Sequence, residues 1–531
     1  MHTVVVVIGV IFGAARVASD VNVKTKFGTV LGNSEDDSDA FYGIPFAKPP
    51  ERWRPPEALE VFPTDPYRAD SWKPMCYQIC TMPEGACGEE VSEDCLYLNI
   101  FAPKNASSDD KKAVMVFVHG GAFDLYTGSA DLLHGGIIAR KGDIIVVTLN
   151  YRLNVFGGLV TGQTDNDATG NYGIQDQRMA IEWVHENIAD FGGDPNKITL
   201  SGQSAGAQSV LIHMMANKVT DKFAHALIQS APISVPFRSY EDSLKQGETF
   251  ASEVGCKSFD IACMRNKTAK EVYIASLKSP RRISDSILQM VEAWAPVVDK
   301  NEVPKSVYEE FVDPTVPWFS SNGVLTKPTM IGTVRHEAAG LITFVFKERI
   351  SFLQYIGMVF GIKHLNGFRI ISHYTPHFGQ SDMREIAEDI VTDFVFVCPA
   401  RMMARRIQQT SPVWMYSLEQ VFTTNKSWGT FDFCEGKACH GQDLMYLFQQ
   451  VKSGFSPDEK KMSDTVIQYV SNFVKTGNPN IGSESGITLE EWPRFESTMN
   501  HISFSAPHNA MGNHLKTAVC DMWDDLQPYY A

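Results

Sequence analysis

A basic surplus is missing from this chain: 47 Lys and Arg stand against 62 Asp and Glu, a formal net charge of −15. A surface of that sign repels phosphate backbones and offers no polybasic patch to an anionic membrane, which argues against nucleic-acid binding and electrostatic membrane docking. Beyond the first residues there is no uncharged apolar run approaching the ~20 residues that a membrane-spanning helix needs. The tail DMWDDLQPYYA carries no anchor signal. The chain also lacks internal repeats, low-complexity runs and any Gly/Ser/Pro linker between two halves. A single domain over residues 20–531 is therefore expected.

What is present is ordinary globular material, 44% hydrophobic and 21% charged in 531 residues, enough for a large core. The start, MHTVVVVIGVIFGAARVAS, runs apolar from Val4 to Ala15, too short to span a bilayer. Val17 and Ser19 are small enough for the −3 and −1 positions of a cleavage site. Residues 1–19 thus read as a secretory signal peptide, cut after Ser19. Ten cysteines fit an oxidising compartment, where most would pair. Three sequons, at Asn105, Asn266 and Asn425, fit the same secreted or lumenal destination.

Six apolar runs read as buried strands: AVMVFVHGG (113–121), DIIVVTLNYR (143–152), KITLSG (197–202), HALIQSA (225–231), PTMIGT (328–333) and PVWMYSL (412–418). Continuous apolar strands mean that both faces are covered, as in a parallel sheet. Between them lie helical stretches such as 173–192, where Ile181, Val184, Ile188 and Phe191 fall at helical spacing. The expected class is α/β, a mostly parallel doubly wound sheet with helices on both faces. Ligands in such sheets bind beyond the carboxyl ends of the strands, so the residues just after each strand matter most.

After KITL comes GQSAG, residues 202–206. Glycines on both sides of Ser204 permit a sharp strand-to-helix turn that exposes its hydroxyl. A serine nucleophile needs a base and donors for the oxyanion that forms on attack. HGGAF, after the first strand, offers the backbone N–H groups of Gly120 and Gly121, and the N–H of Ala205 is a third. The base should follow later in the chain, with an acid between. His440 is a good candidate among 14 histidines, since it opens the polar-to-apolar segment HGQDLMYLF after a constrained loop. Glu337 lies just past a strand. Asp299 and Asp393 also fall in the interval, where capping or solvation is their simpler role. Asp443 is too near His440 in sequence to be favoured, and His213 suits packing. A metal site from Cys434, Cys439 and His440 fits no common zinc spacing and lacks an evident fourth ligand.

The motifs extend well past GQSAG. The chain resembles the type-B carboxylesterases, the family of carboxylesterases and cholinesterases, through FGGDPNKITLSGQSAG (191–206), EDCLYLNIFAP (93–103), FYGIPFAKPPERWRPP (41–56) and CDMWDDL (520–526). The resemblance implies an α/β-hydrolase fold and a Ser-Glu-His triad on Ser204, Glu337 and His440. It places the oxyanion donors on Gly120, Gly121 and Ala205, and implies the disulfides Cys76–Cys95, Cys256–Cys263 and Cys398–Cys520. Proximity pairs the remaining cysteines as Cys80–Cys87 and Cys434–Cys439. The second of these rings would stiffen the loop that presents His440.

Three positions depart from the family pattern. Gln203 stands where glutamate is common, Ala338 replaces a glycine, and the loop between Cys76 and Cys95 lacks the tryptophan of cholinesterases. Two features that attract a quaternary ammonium are therefore missing, and choline esters are not the expected substrate. The apolar stretch 341–360 could wall an acyl-chain gorge or be ordinary helix core. The expected function is a secreted general carboxylesterase that forms an acyl-enzyme on small-molecule esters, without metal or cofactor. The alternatives are a catalytically silent adhesion or storage protein and a serine peptidase.

Overall fold

Alternation along each central strand divides its side chains between two separate cores. In the computed structural model, which describes residues 19–527 apart from 83–84, 165, 280–286, 317–326, 364–365, 425–426, 430, 452 and 483–486, Val114, Val116 and Val118 enter one apolar cluster while Ala113, Met115 and Phe117 enter the other. Met415 and Trp414 are divided in the same way, as are Ile228 and Leu227. Residues 1–18 of the segment expected to be a signal peptide, and the sequon residue Asn425, lie outside the described residues.

The strands are β1 (Ser19–Thr25), β2 (Gly28–Ser34), β3 (Asp39–Pro45), β4 (Tyr97–Ala102), β5 (Lys112–Val118), β6 (Ile145–Leu149), β7 (Gly193–Gln203), β8 (His225–Gln229), β9 (Thr329–Val334), β10 (Val413–Leu418), β11 (His501–Phe504) and β12 (Ala510–Gly512). They form one 13-stranded sheet in the order β1-β2-β3-β4-β6-β5-β7-β8-β9-β10-β11-β12, with Tyr67–Arg68 beside β2. From β6 to β11 every neighbour is parallel. The flanks are antiparallel, β1 to β4 at one edge, where β4 also meets β6, and β12 at the other. All six runs expected as strands lie in the parallel block. The N-terminal flank does not read as apolar runs because its outer strands are only partly buried, as in Val21-Asn22-Val23-Lys24 of β1.

Helices cover both faces. The main ones are α1 (Gly136–Gly142), α2 (Tyr172–Asn187), α3 (Ala205–Met215), α4 (Ala339–Val345), α5 (Phe352–Ile362), α6 (Gln442–Phe448) and α7 (Pro457–Thr476). Ile181 and Val184 of α2 and Val210 and Leu211 of α3 join the first cluster. Ile138 of α1, Leu447 of α6 and Val470 of α7 join the second. Successive strands change direction of addition at β5: β6 is laid on one side of it and β7 on the other. The crevice at such a switch point opens at the carboxyl ends of β5 and β7, where Gly120 and Ser204 sit.

The cysteines pair as Cys76–Cys95, Cys80–Cys87, Cys256–Cys263, Cys398–Cys520 and Cys434–Cys439, with no free thiol among the described residues. The 341–360 stretch divides its residues. Ile342, Tyr355 and Val359 are core, while Phe344, Phe352 and Leu353 face outward, Leu353 80% exposed. A groove of about 700 Å³ beside it, lined by Thr343, Phe378, Glu388, Phe433 and Lys437, does not include Ser204 or His440 among its walls.

Gly332 of β9 lies opposite Tyr416 of β10, and a Cβ there would fall 1.8 Å from the Tyr416 ring. Gly332→Ala must therefore displace a buried tyrosine. It is expected to lower stability by about 3 kcal/mol, read as a drop in the urea midpoint at unchanged m-value.

Candidate active site

Ser204 sits at the junction of β7 and α3 with φ 58° and ψ −125°. A side chain on either flanking glycine would collide with backbone: a Cβ on Gly202 would lie 2.3 Å from the Gly206 carbonyl oxygen, and one on Gly206 2.1 Å from that of Val118. The turn is pinned by the Ser204 N–H, which donates to the Gln229 carbonyl at 2.9 Å. The serine carbonyl in turn accepts from Ala207 and Gln208, the first turn of α3.

Gly120 rests directly against the serine, since a Cβ there would approach the Ser204 Cβ to 2.9 Å. Gly121 takes φ +97°, and its carbonyl accepts the N–H groups of Asp124 and Leu125. His119 Nδ1 donates 2.9 Å to the Gly120 carbonyl, which leaves the Gly120 N–H as that residue's polar group available to the crevice. Ala205 is the first residue of α3, so its N–H has no partner within the helix.

Glu337 and His440 come from two loops laid side by side. Glu337 follows β9, and one of its oxygens accepts the Val334 N–H at 2.8 Å. The Cys434–Cys439 ring lies along the same loop. The His336 N–H donates 3.0 Å to the Ala438 carbonyl, the Ala438 N–H donates 3.0 Å to His336 Nδ1, and His336 and Cys439 form a parallel bridge. The next residue on each loop then meets its counterpart: His440 Nδ1 is 2.5 Å from Glu337 Oε2. The Glu337 side chain is fully buried, whereas that of His440 is 28% exposed. A carboxylate can only accept, so Nδ1 carries the proton and a neutral ring keeps its lone pair on Nε2. At that nitrogen lies the side-chain amide of Gln203, Nε2 to Nε2 at 3.0 Å.

Ala338 fits its place without strain, because it takes φ −91° and its N–H donates 3.1 Å to Thr392 Oγ1. A glycine is not required there. The other carboxylates are engaged elsewhere. Asp299 accepts three N–H groups of its own loop, from Asn301, Glu302 and Val303. Asp393 accepts from Tyr374 and Lys516. Asp443 is buried behind the pair, where it accepts from Tyr416 (2.7 Å) and Gln229 (2.9 Å), and burial raises its pKa. His213 is buried on α3 against Gln177.

Sequence reasoning missed two contributors. The Gln203 side chain was read only as a lost charge, not as a neighbour of the base. The segment Thr392–Val397, TDFVFV, winds as a wide π-type turn and sets the Phe396 ring 5.2 Å from that of His440. Its β-branched and aromatic composition carries no signal for such a turn.

A strained serine turn beside a glycine loop, with a carboxylate and an imidazole in contact past the end of β9, matches the sequence motifs. The profile of the Carboxylesterase family matches residues 19–523. The chain belongs to the carboxylesterase family. Similar proteins include the Crystal protein of Dictyostelium discoideum, 33% identical over 96% of this chain and 92% of the relative. The cAMP-regulated D2 protein of the same organism is 33% identical over 90% and 87%. Carboxylesterase 1F of Mus musculus is 31% identical over 96% and 95%. This carboxylesterase-family chain thus aligns with these relatives along most of their length.

Buried histidines, His119 and His213 among them, lower the stability of the fold in acid. Burial holds His119 down to about 4; burial together with the Arg178 charge holds His213 down to about 3. Unfolded, both rings take up a proton at about 6.5. Their contribution is complete above that pH and is lost as pH falls toward the folded values. The urea midpoint is expected to fall between pH 7 and pH 5, and His213→Gln to make that fall shallower.

Proposed function

We propose that this member of the carboxylesterase family is a secreted carboxylic ester hydrolase. Residues 1–19 are its signal peptide and 20–531 a single hydrolase domain. The observation that carries the reading is the 2.5 Å contact of His440 Nδ1 with the buried Glu337 carboxylate, just past β9 on the same carboxyl edge of the parallel sheet as the strained Ser204 turn. Ser204 Oγ attacks the ester carbonyl carbon as its proton passes to His440 Nε2. Glu337 keeps the ring in the Nδ1–H tautomer and stabilises the imidazolium. The oxyanion forms against the N–H groups of Gly120, Gly121 and Ala205, each worth about 2.7–4 kcal/mol in the transition state. His440 then gives its proton to the leaving alcohol. Water, activated by the same nitrogen, releases the acid and restores Ser204.

Five disulfides support an oxidising destination, and no helix among the described residues is long and apolar enough to cross a membrane. Asn105 and Asn266 are exposed, as glycosylation requires, and Asn425 is the third acceptor. The substrate is a small neutral ester rather than a choline ester, given Gln203 and the tryptophan-free loop.

A second reading, a catalytically silent adhesion or storage protein, is favoured by one observation: His440 Nε2 meets the Gln203 amide. The names of two relatives, Crystal protein and cAMP-regulated D2 protein, also state no hydrolysis. Turnover of p-nitrophenyl esters from acetyl to decanoyl decides between the readings. Hydrolysis is expected, falling roughly 10⁴-fold or more in Ser204→Ala and roughly 10³–10⁴-fold in Glu337→Gln. A folded protein that neither turns over nor reacts with an organophosphate sinks the esterase reading, and cleavage of matched anilides faster than esters points to a peptidase.

A further inference from the structure

We infer that Gln203 is a positioning residue that caps the reactive nitrogen of His440 in the resting protein, so that proton transfer from Ser204 begins only once the amide has let go. This rests on the reading of the site as a serine esterase.

The argument is one of occupancy. A neutral imidazole has one N–H and one lone pair. The N–H, on Nδ1, is committed to Glu337 at 2.5 Å. The lone pair, on Nε2, is the atom that must receive the Ser204 proton, and the Gln203 Nε2 amide stands 3.0 Å from it. Only one donor can use that lone pair well, so the amide and the serine hydroxyl compete for it.

The amide is held where it is. Gln203 is 4% exposed. Its oxygen lies over Gly120, where a Cβ would approach it to 2.8 Å, and its nitrogen lies 3.7 Å from the position of a Cβ on Gly441. The backbone on its carboxyl side is fixed by the Ser204 N–H bond to Gln229, so release must come from rotation of the Gln203 side chain itself. Because its oxygen lies against Gly120, an acyl group that enters the glycine loop crowds the amide. Binding of an acyl group and release of the base are thereby coupled.

The amide also discriminates between the protonation states of His440. Donation to Nε2 stabilises the neutral ring and opposes the imidazolium, whereas a carboxylate at 203 would do the reverse. The groups facing His440 are Glu337 from the loop after β9, Asp443 from α6, the Phe396 ring and Gln203 from β7. The adjacent Lys437 ammonium is turned away to Glu388 at 2.5 Å.

The test uses the full chain with histidine-selective ¹⁵N labelling, in wild type, Gln203→Ala and Gln203→Glu, with His440→Asn to identify the signal. Three quantities are read: the His440 protonation midpoint and tautomer by NMR, the first-order rate of organophosphate addition to Ser204, and the pH profile of kcat/KM. Removing the amide is expected to raise the midpoint by about one pH unit and the addition rate about tenfold at pH 8, and the acid limb of kcat/KM should follow the midpoint. The carboxylate should raise the midpoint further. A midpoint in Gln203→Ala equal to that of wild type overturns the cap. A raised midpoint with no gain in Ser204 reactivity overturns its gating role. Should Gln203→Ala not fold, the isosteric Gln203→Glu decides alone: an unchanged midpoint there refutes the contact. The NMR titration needs no turnover, so a protein without esterase activity defeats the esterase reading while the titration still judges the Gln203 contact.

Discussion

Everything at this site hangs on how closely β7, α3 and β5 cross at residues 202–206. Gly202 touches the backbone of Gly206, and Gly206 touches that of Val118, at separations that leave no room for a Cβ. That contact lets α3 start immediately after β7 and forces Ser204 to φ 58°. It also brings the end of β5, with Gly120 and Gly121, against the serine. The strain of such a residue, about 1–3 kcal/mol, persists only because the surrounding sheet over-determines it. Strands buried on both faces supply that surround, as the division of Val114, Val116 and Val118 from Met115 and Phe117 shows.

The acid and base depend on a different kind of order. Glu337 and His440 lie 103 positions apart in the chain, and neither belongs to a strand of the sheet. They meet because the residues just before them pair: His336 with Ala438 and Cys439, backbone to backbone and backbone to ring. The site therefore combines a rigid serine turn fixed by sheet packing with a carboxylate–imidazole pair fixed by loop-to-loop register. Catalytic geometry tolerates errors of well under an ångström, so both forms of order are needed at once.

The parts of this arrangement differ in how far the sequence discloses them. The parallel strands were legible because burial on both faces leaves nearly unbroken apolar runs, and the elbow because only glycine fits beside Ser204. The antiparallel flank was not, since β1 and β2 alternate polar and apolar residues or have none fully buried in long runs. Glu337 was legible as a carboxylate just past a strand and His440 as the residue after a short cysteine pair, but their contact is a tertiary fact. Ala338 looked like a weakness in sequence, yet its backbone angle is open to any residue. Gln203 and the π-type turn at Thr392–Val397 were opaque for opposite reasons. The first has an identity whose meaning depends on where its amide points. The second has a composition that suits a strand and is overridden by packing.

The Cys434–Cys439 ring has a consequence beyond rigidity. Its covalent bond forms only where thiols are oxidised, and the ring is the piece of chain that lies along His336. The spacing between acid and base is thus recorded in a bond that a newly made chain in a reducing compartment does not yet possess. In a reducing medium the loop that carries His440 would lose this covalent tie, while the turn at Ser204, held by the packing of the sheet, would not. The redox state of the medium thus bears on one half of the site and leaves the other untouched.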